Sequence, residues 1–190
     1  MSAARPEIAA RRLLAQWLSE EVLLHRALQN EVPEAQRSAI GRAVTQFRVV
    51  RSLRRSAEEA LGVPRFESVR ECLTAVKGRD VTAETFVSVT TDFAQAVARR
   101  YGGHSFLSLA SKLLWLRFRD PFVIYDSIVL SALGTRVADY PGYVVAWNER
   151  YARHEAAIAR ACAGLSDSHQ VANEEWFRRR VLDVMLLGDA

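Results

Sequence analysis

In the stretch from Ser105 to Gly134, SFLSLASKLLWLRFRDPFVIYDSIVLSALG, a carboxylate, an amine and several hydroxyls fall close together in sequence. A Gly102-Gly103 turn leads into an amphipathic helical pattern that carries Ser108, Ser111 and Lys112, and Pro121 breaks that pattern. The chain returns through Val123-Ile124-Tyr125 and presents Asp126 at the start of the next helix, beside unpaired backbone N–H groups and the positive end of a helix dipole. That place suits a carboxylate anion. Cleavage of a glycosidic bond needs such an anion, because positive charge develops on the sugar in an oxocarbenium-like transition state. Lys112 lies four residues after Ser108, projects from much the same helical face, and is a candidate amine nucleophile. Trp115, Phe118 and Tyr125 offer aromatic surface for a base swung out of a duplex. Arg117 and Arg119, in the turn before Asp126, are placed to hold phosphates. Each residue also has a plainer reading. Asp126-Ser127 before an apolar run is what an ordinary N-cap looks like, Lys112 is a solvated or ion-paired lysine, and the aromatics are core.

The segment resembles the helix-hairpin-helix DNA glycosylases, in particular small bacterial proteins with an 8-oxoguanine-glycosylase-like fold. Ala110-Ser111-Lys112-Leu113-Leu114 resembles the Ala-Ser-His-Phe-Leu run of one branch. Tyr125-Asp126-Ser127-Ile128-Val129-Leu130 sits where those proteins carry an Ile-Asp-Arg-His-Ile-Leu type run, at the same spacing. Trp176-Phe177-Arg178 through Val184-Met185-Leu186 is similar to the closing segment of small members. The resemblance implies that Asp126 is the catalytic carboxylate; Ser108, Ser111, Trp115, Arg117, Arg119, Tyr125, Ser127, Gly103 and His104 lie around it in sequence as candidates to touch DNA or the extruded nucleotide, and no cofactor or metal is expected. Two departures sharpen the expectation. Ser108 stands where the bifunctional enzymes have their Schiff-base lysine, and Gly102-Gly103 with His104–Phe106 replaces their Gly-x-Gly hairpin. A monofunctional enzyme is then implied, in which Asp126 stabilises the sugar cation, orients a water and leaves an abasic site, with Lys112 as the rival nucleophile. The substrate implied is an oxidised purine or a hypermodified cytosine of phage DNA, the latter in anti-phage defence.

The elements that must position these groups read as helices throughout. A pattern runs from Pro6 to Gln29, and Pro33 opens a second long helix to Leu61, stopped by Gly62 and Pro64. A short helix covers Glu67 to Lys77, and Thr82 or Thr85 opens another that ends at Tyr101-Gly102-Gly103. Helices follow from Ser105 to Arg117, from Asp126-Ser127 to Leu133 with Gly134 as stop, from Gly142 to Leu165 and from Ser168 to Leu187. Phe122–Tyr125 mimics a strand but has nothing to pair with. The expected fold is therefore all-α, a glycosylase-like bundle of about seven to eight helices in a single domain over residues 1–190, with any division into two lobes leaving a cleft near 102–134.

Composition sets the outer limits. The chain has 190 residues, 49% hydrophobic and 25% charged, which suffices for a substantial core and argues against disorder. Its net charge is +4 with arginine far outnumbering lysine, which favours a nucleic-acid partner but also fits a GC-rich genome. Arg48, Arg51, Arg54 and Arg55 would share one face of the second helix, and Arg99-Arg100 and Arg178–Arg180 are further phosphate candidates. The histidines His25, His104, His154 and His169 are scattered. Cys72 and Cys162 have no metal spacing and read as buried thiols. With no leader and no apolar run of membrane length, a cytoplasmic protein without membrane contact or an obligatory protein partner is expected. Two readings compete with the enzyme: a non-enzymatic helical DNA-binding or regulatory module, and a protein-interaction domain anchored by Trp17, Trp147 and Trp176.

Overall fold

A computed structural model describes residues 4–49, 53, 55–102, 105–134 and 139–188, and the described residues are helical with no strand among them. The helices are α1 (Ala4–Gln16), α2 (Val22–Gln29), α3 (Pro33–Gln46), α4 (Arg55–Ala60), α5 (Glu67–Val76), α6 (Phe86–Tyr101), α7 (Leu107–Phe118), α8 (Ser127–Leu133), α9 (Tyr140–Ser166) and α10 (Glu175–Leu187). A π-helical turn at Trp17–Glu21 joins α1 to α2, so the pattern from Pro6 to Gln29 is one helix with a bulge. Phe122–Tyr125 is irregular, as its isolation required. The chain divides into two compact units, one of Glu21–Ile124 and one of Met1–Glu20 with Tyr125–Ala190. They are called here the central and the terminal unit, after their places in sequence.

The expected second helix divides in two. Its first half ends at Gln46 because Arg48 takes a left-handed conformation, φ 55°. The Arg48 N–H then bonds to the Thr45 carbonyl at 3.1 Å, and the Val49 N–H reaches back to the Val44 carbonyl at 2.9 Å. That pair of bonds is a Schellman cap, usually built on glycine. With arginine in the left-handed position, no glycine marked the stop. The arginine ladder is corrected accordingly. Arg48 turns the chain, Arg55 begins a separate helix, and Arg51 and Arg54 lie outside the described residues.

In the central unit α7 is packed by α2, α3 and α6. Every residue from Leu109 to Arg117 is buried, including Ser111, Lys112 and Arg117. The expected amphipathic surface helix is thus a core helix, apolar nearly all round because neighbours close on it from three elements. α10 has the same role in the terminal unit, touching α1, α8 and α9. Trp17 and Trp176 meet there with ring centroids 4.5 Å apart, and both are buried, as is Trp147. The three tryptophans are core side chains.

Candidate functional site

The candidate residues divide between the units. Ser108, Ser111, Lys112, Trp115, Arg117 and Arg119 belong to the central unit, and Tyr125, Asp126 and Ser127 to the terminal one. Gly103 and His104 lie outside the described residues.

On α7 the spacing of four brings Lys112 onto Ser108, and its Nζ donates to the Ser108 hydroxyl at 3.0 Å. The ammonium also lies 5.7 Å from the Phe47 ring centroid, a cation–π distance. Ser111 Oγ donates to the Ser108 carbonyl at 3.4 Å from a fully buried position, and Trp115 is 2% exposed. Ser108 is half-buried, so the Ser108–Lys112 pair sits at the less enclosed end of the helix. A groove of about 210 Å³ opens beside that end, lined by Ser105, Phe106 and Leu107 and by Thr91, Ala94, Gln95 and Ala98 of α6.

The other end of α7 is tied to α2 by reciprocal capping. His25 Nδ1–H donates to the Leu116 carbonyl at 2.7 Å, and Gln29 Nε2 donates to the Arg117 carbonyl. In return Arg117 Nη1 donates to the Leu28 carbonyl at 2.7 Å. Carbonyls left over at two helix ends are satisfied this way by side chains from each other's helix. Arg117 is 3% exposed and burial lowers its pKa, so its guanidinium serves the fold rather than the surface. Arg119 ends α7 in a left-handed conformation, φ 63°, and its guanidinium meets His25 Nε2. Burial, joined by the charges of Arg119 and Arg26 and opposed by the Leu116 carbonyl, holds the His25 pKa below 6.5.

In the terminal unit Asp126 is the N-cap of α8, with extended dihedrals (φ −139°, ψ 134°) and its Oδ1 accepting the Ile128 N–H at 2.9 Å. Gly134 ends this helix in the left-handed conformation that its sequence position predicted, φ 69°. Asp126 is half-buried, Ser127 exposed. Tyr125 packs edge-on against Tyr143 of α9, centroids 4.9 Å apart, and against Tyr140 at 6.4 Å. Burial raises the Tyr143 pKa, and the Asp183 carboxylate adds to it.

Behind this aromatic group lies a buried charge cluster that sequence reasoning missed. Asp183 of α10 accepts from Trp147 Nε1 at 2.7 Å on Oδ1 and from Arg180 Nη1 at 2.9 Å on Oδ2. Burial raises the Asp183 pKa; the Arg180 charge and the two hydrogen bonds oppose it, and the Asp126 carboxylate adds to it. Arg180, expected among the phosphate contacts, is 6% exposed and committed to this pair. One signal was legible: Asp183 interrupts the apolar run Val181-Leu182 and Val184-Met185-Leu186, three residues after an arginine, and a carboxylate in a buried stripe needs a partner. Nothing in sequence named Trp147 as the second donor.

Both cysteines are free thiols; Cys162 is buried and its pKa is pushed up to about 11, while Cys72 is half-buried. Among the described residues no group of three His, Cys, Asp or Glu side chains is placed to hold a metal ion. Nor, among them, is any helix long and apolar enough to cross a membrane. No protein-family model, no curated protein and no solved structure matches this chain.

Proposed function

We propose that the protein is a monofunctional DNA glycosylase that extrudes a modified base and hydrolyses its N-glycosidic bond, leaving an abasic site. The observation that carries the reading is the placement of Asp126: it caps α8 with Oδ1 on the Ile128 N–H, half-buried, directly after the aromatic Tyr125, at the spacing the glycosylase resemblance requires. As the bond from C1′ to the base breaks, the bonding electrons leave with the base. The Asp126 anion offsets the charge left on the sugar; a water oriented by the same carboxylate adds its oxygen to C1′, and the proton it loses ends on the departing base. A hydroxyl, Ser108, stands where the bifunctional enzymes carry their amine and accepts from Lys112 Nζ, which supports base release without strand cleavage. The substrate proposed is DNA carrying an oxidised purine or a phage hypermodified cytosine, met in the cytoplasm.

A second reading, a helical DNA-binding module without chemistry, is favoured by the same capping bond, since a purely structural Asp makes it too. One experiment separates them. Wild-type protein incubated with a panel of modified DNAs, phage genomes included, is expected to generate abasic sites, with no adduct trapped by borohydride. Asp126→Asn is expected to abolish base release and keep DNA affinity and thermal stability, because asparagine caps a helix about as well as aspartate. Absence of abasic sites on every DNA tested rejects the enzyme. A trapped adduct that disappears in Lys112→Ala rejects the monofunctional mechanism.

A further inference from the structure

Where two helices pack in an interior, side chains fill the space between them. α5 and α6 of the central unit meet differently along one edge. They run antiparallel there, spanned by two ion pairs: Glu71 with Arg100 at 3.1 Å, and Arg79, just past the end of α5, with Asp92 at 2.9 Å. Asp92 and Arg100 stand about 12 Å apart along α6 at the rise of an α-helix. Between the two pairs the helices offer short side chains, Cys72 and Ala75 from α5 and Ala96 from α6. A groove of about 410 Å³ is left, floored also by the buried Val76 and Phe93. Its rim carries three arginines, Arg79, Arg99 and Arg100, against the carboxylates of Glu71 and Asp92, so one cation is in excess. Among the described residues Arg99 is the one of the three with no ion-pair partner; it is exposed and stands at the Arg100 end.

We infer that this groove binds a small amphipathic carboxylate, with its apolar body on Ala75, Val76 and Ala96 and its head on Arg99. Length, floor and charge each narrow the occupant. A straight apolar chain fits a trough about 12 Å long between two ion pairs and removes the floor's apolar surface from water. One excess cation is neutralised by a monoanion, whereas a phosphate dianion would keep an unmatched charge. A carboxylate also matches the two-pronged guanidinium fork. Arg100 is next to the head, and its pair with Glu71 is exposed at both members, 46% and 45%, so opening it to share the anion costs little. At the far end the Arg79–Asp92 pair closes the trough, which sets the direction of the tail. No residue of α7 or α8 takes part, so the site stands whether or not Asp126 is catalytic.

The probe is octanoate, titrated into the full chain by isothermal titration calorimetry. Saturable binding is expected, and octanamide, which keeps the chain and loses the charge, is expected to bind about tenfold more weakly. Arg99→Gln is expected to weaken octanoate by about the same factor with Tm unchanged, since Arg99 is exposed. Cys72 reports the place, because its thiol is half-buried in the groove. Octanoate at about ten times its Kd is expected to slow alkylation of Cys72 by iodoacetamide about tenfold and to leave the buried Cys162 as it was. No binding up to millimolar octanoate overturns the site. Octanamide binding as tightly as octanoate, or Arg99→Gln binding as tightly as the wild type, overturns the carboxylate head. Binding that leaves Cys72 alkylation unchanged puts octanoate elsewhere, and faster alkylation of Cys162 marks it as a surfactant; either rejects the groove. A short DNA duplex that protects Cys72 where octanoate does not assigns the rim to a phosphate backbone instead. Where Arg99→Gln lowers Tm, Ala96→Leu fills the trough and leaves every charge in place; it is expected to abolish octanoate binding, and retained binding overturns the site.

Discussion

Several charged side chains placed in the interior are answered by specific partners. Asp183 has Trp147 and Arg180, Glu58 has Tyr101 and Arg65, and Lys112 has Ser108. Buried ionised groups persist only when such bonds replace water. His25 is the instructive case because its partner is a cation. Neutral imidazole donates from Nδ1 to Leu116 and offers Nε2 to Arg119; a second proton would set two positive charges together. The folded pKa lies below 6.5, so the unfolded chain takes up the proton first. Stability is therefore full above pH 6.5 and declines as pH falls from 6.5 through the lower folded value. Urea unfolding midpoints at pH 7.5 and 5.5 are expected to show this loss in the wild type. His25→Asn, which keeps a donor for the Leu116 carbonyl without a titrating ring, is expected to lack it. Equal pH slopes in the two proteins would remove His25 as the source.

At the scale of elements, boundaries set by local chemistry and boundaries set by packing behave differently. Gly102, with φ 83°, and Gly134 end α6 and α8 where a left-handed or open conformation needs glycine. Asp126 begins α8, and Asp139 begins α9 with its side chain on the Gly142 N–H at 2.8 Å, two residues earlier than the sequence pattern indicated. The end of α3 has no such marker, since Arg48 occupies the glycine position of its Schellman cap. Arg48 is exposed, so replacing it costs no packing. Arg48→Gly is expected to stabilise the protein by about 1 kcal/mol, the relief of a left-handed L-residue less the added freedom of the unfolded chain. Denaturant unfolding measures it, and a destabilised variant would show that the arginine is held there by something other than the cap.

For the whole molecule the net charge of +4 is the feature a nucleic acid would meet. Not every arginine contributes: Arg117 and Arg180 are in the interior, whereas Arg11, Arg12, Arg42 and Arg99 are exposed. If DNA is the partner, affinity is expected to fall steeply with salt, by about tenfold or more between 50 and 200 mM, as counterions are no longer released to advantage. Fluorescence polarisation with a labelled duplex measures the slope, and an affinity indifferent to salt would exclude phosphate contacts. By itself the sequence determined the helical class, most helix limits and the capping position of Asp126, because each depends on neighbours a few residues apart: apolar spacing, a glycine, a proline, a short polar side chain. It also paired Ser108 with Lys112, one turn apart on the same helix. Only the tertiary structure decided that α7 is enclosed rather than amphipathic, that Arg117 and Arg180 are buried, that His25 caps a helix 91 residues away, that Tyr125 packs on Tyr143, and that Asp183 is held by Trp147 and Arg180. Those contacts join residues far apart in the chain, and their energies depend on which surfaces exclude water together, a property no short window of sequence contains.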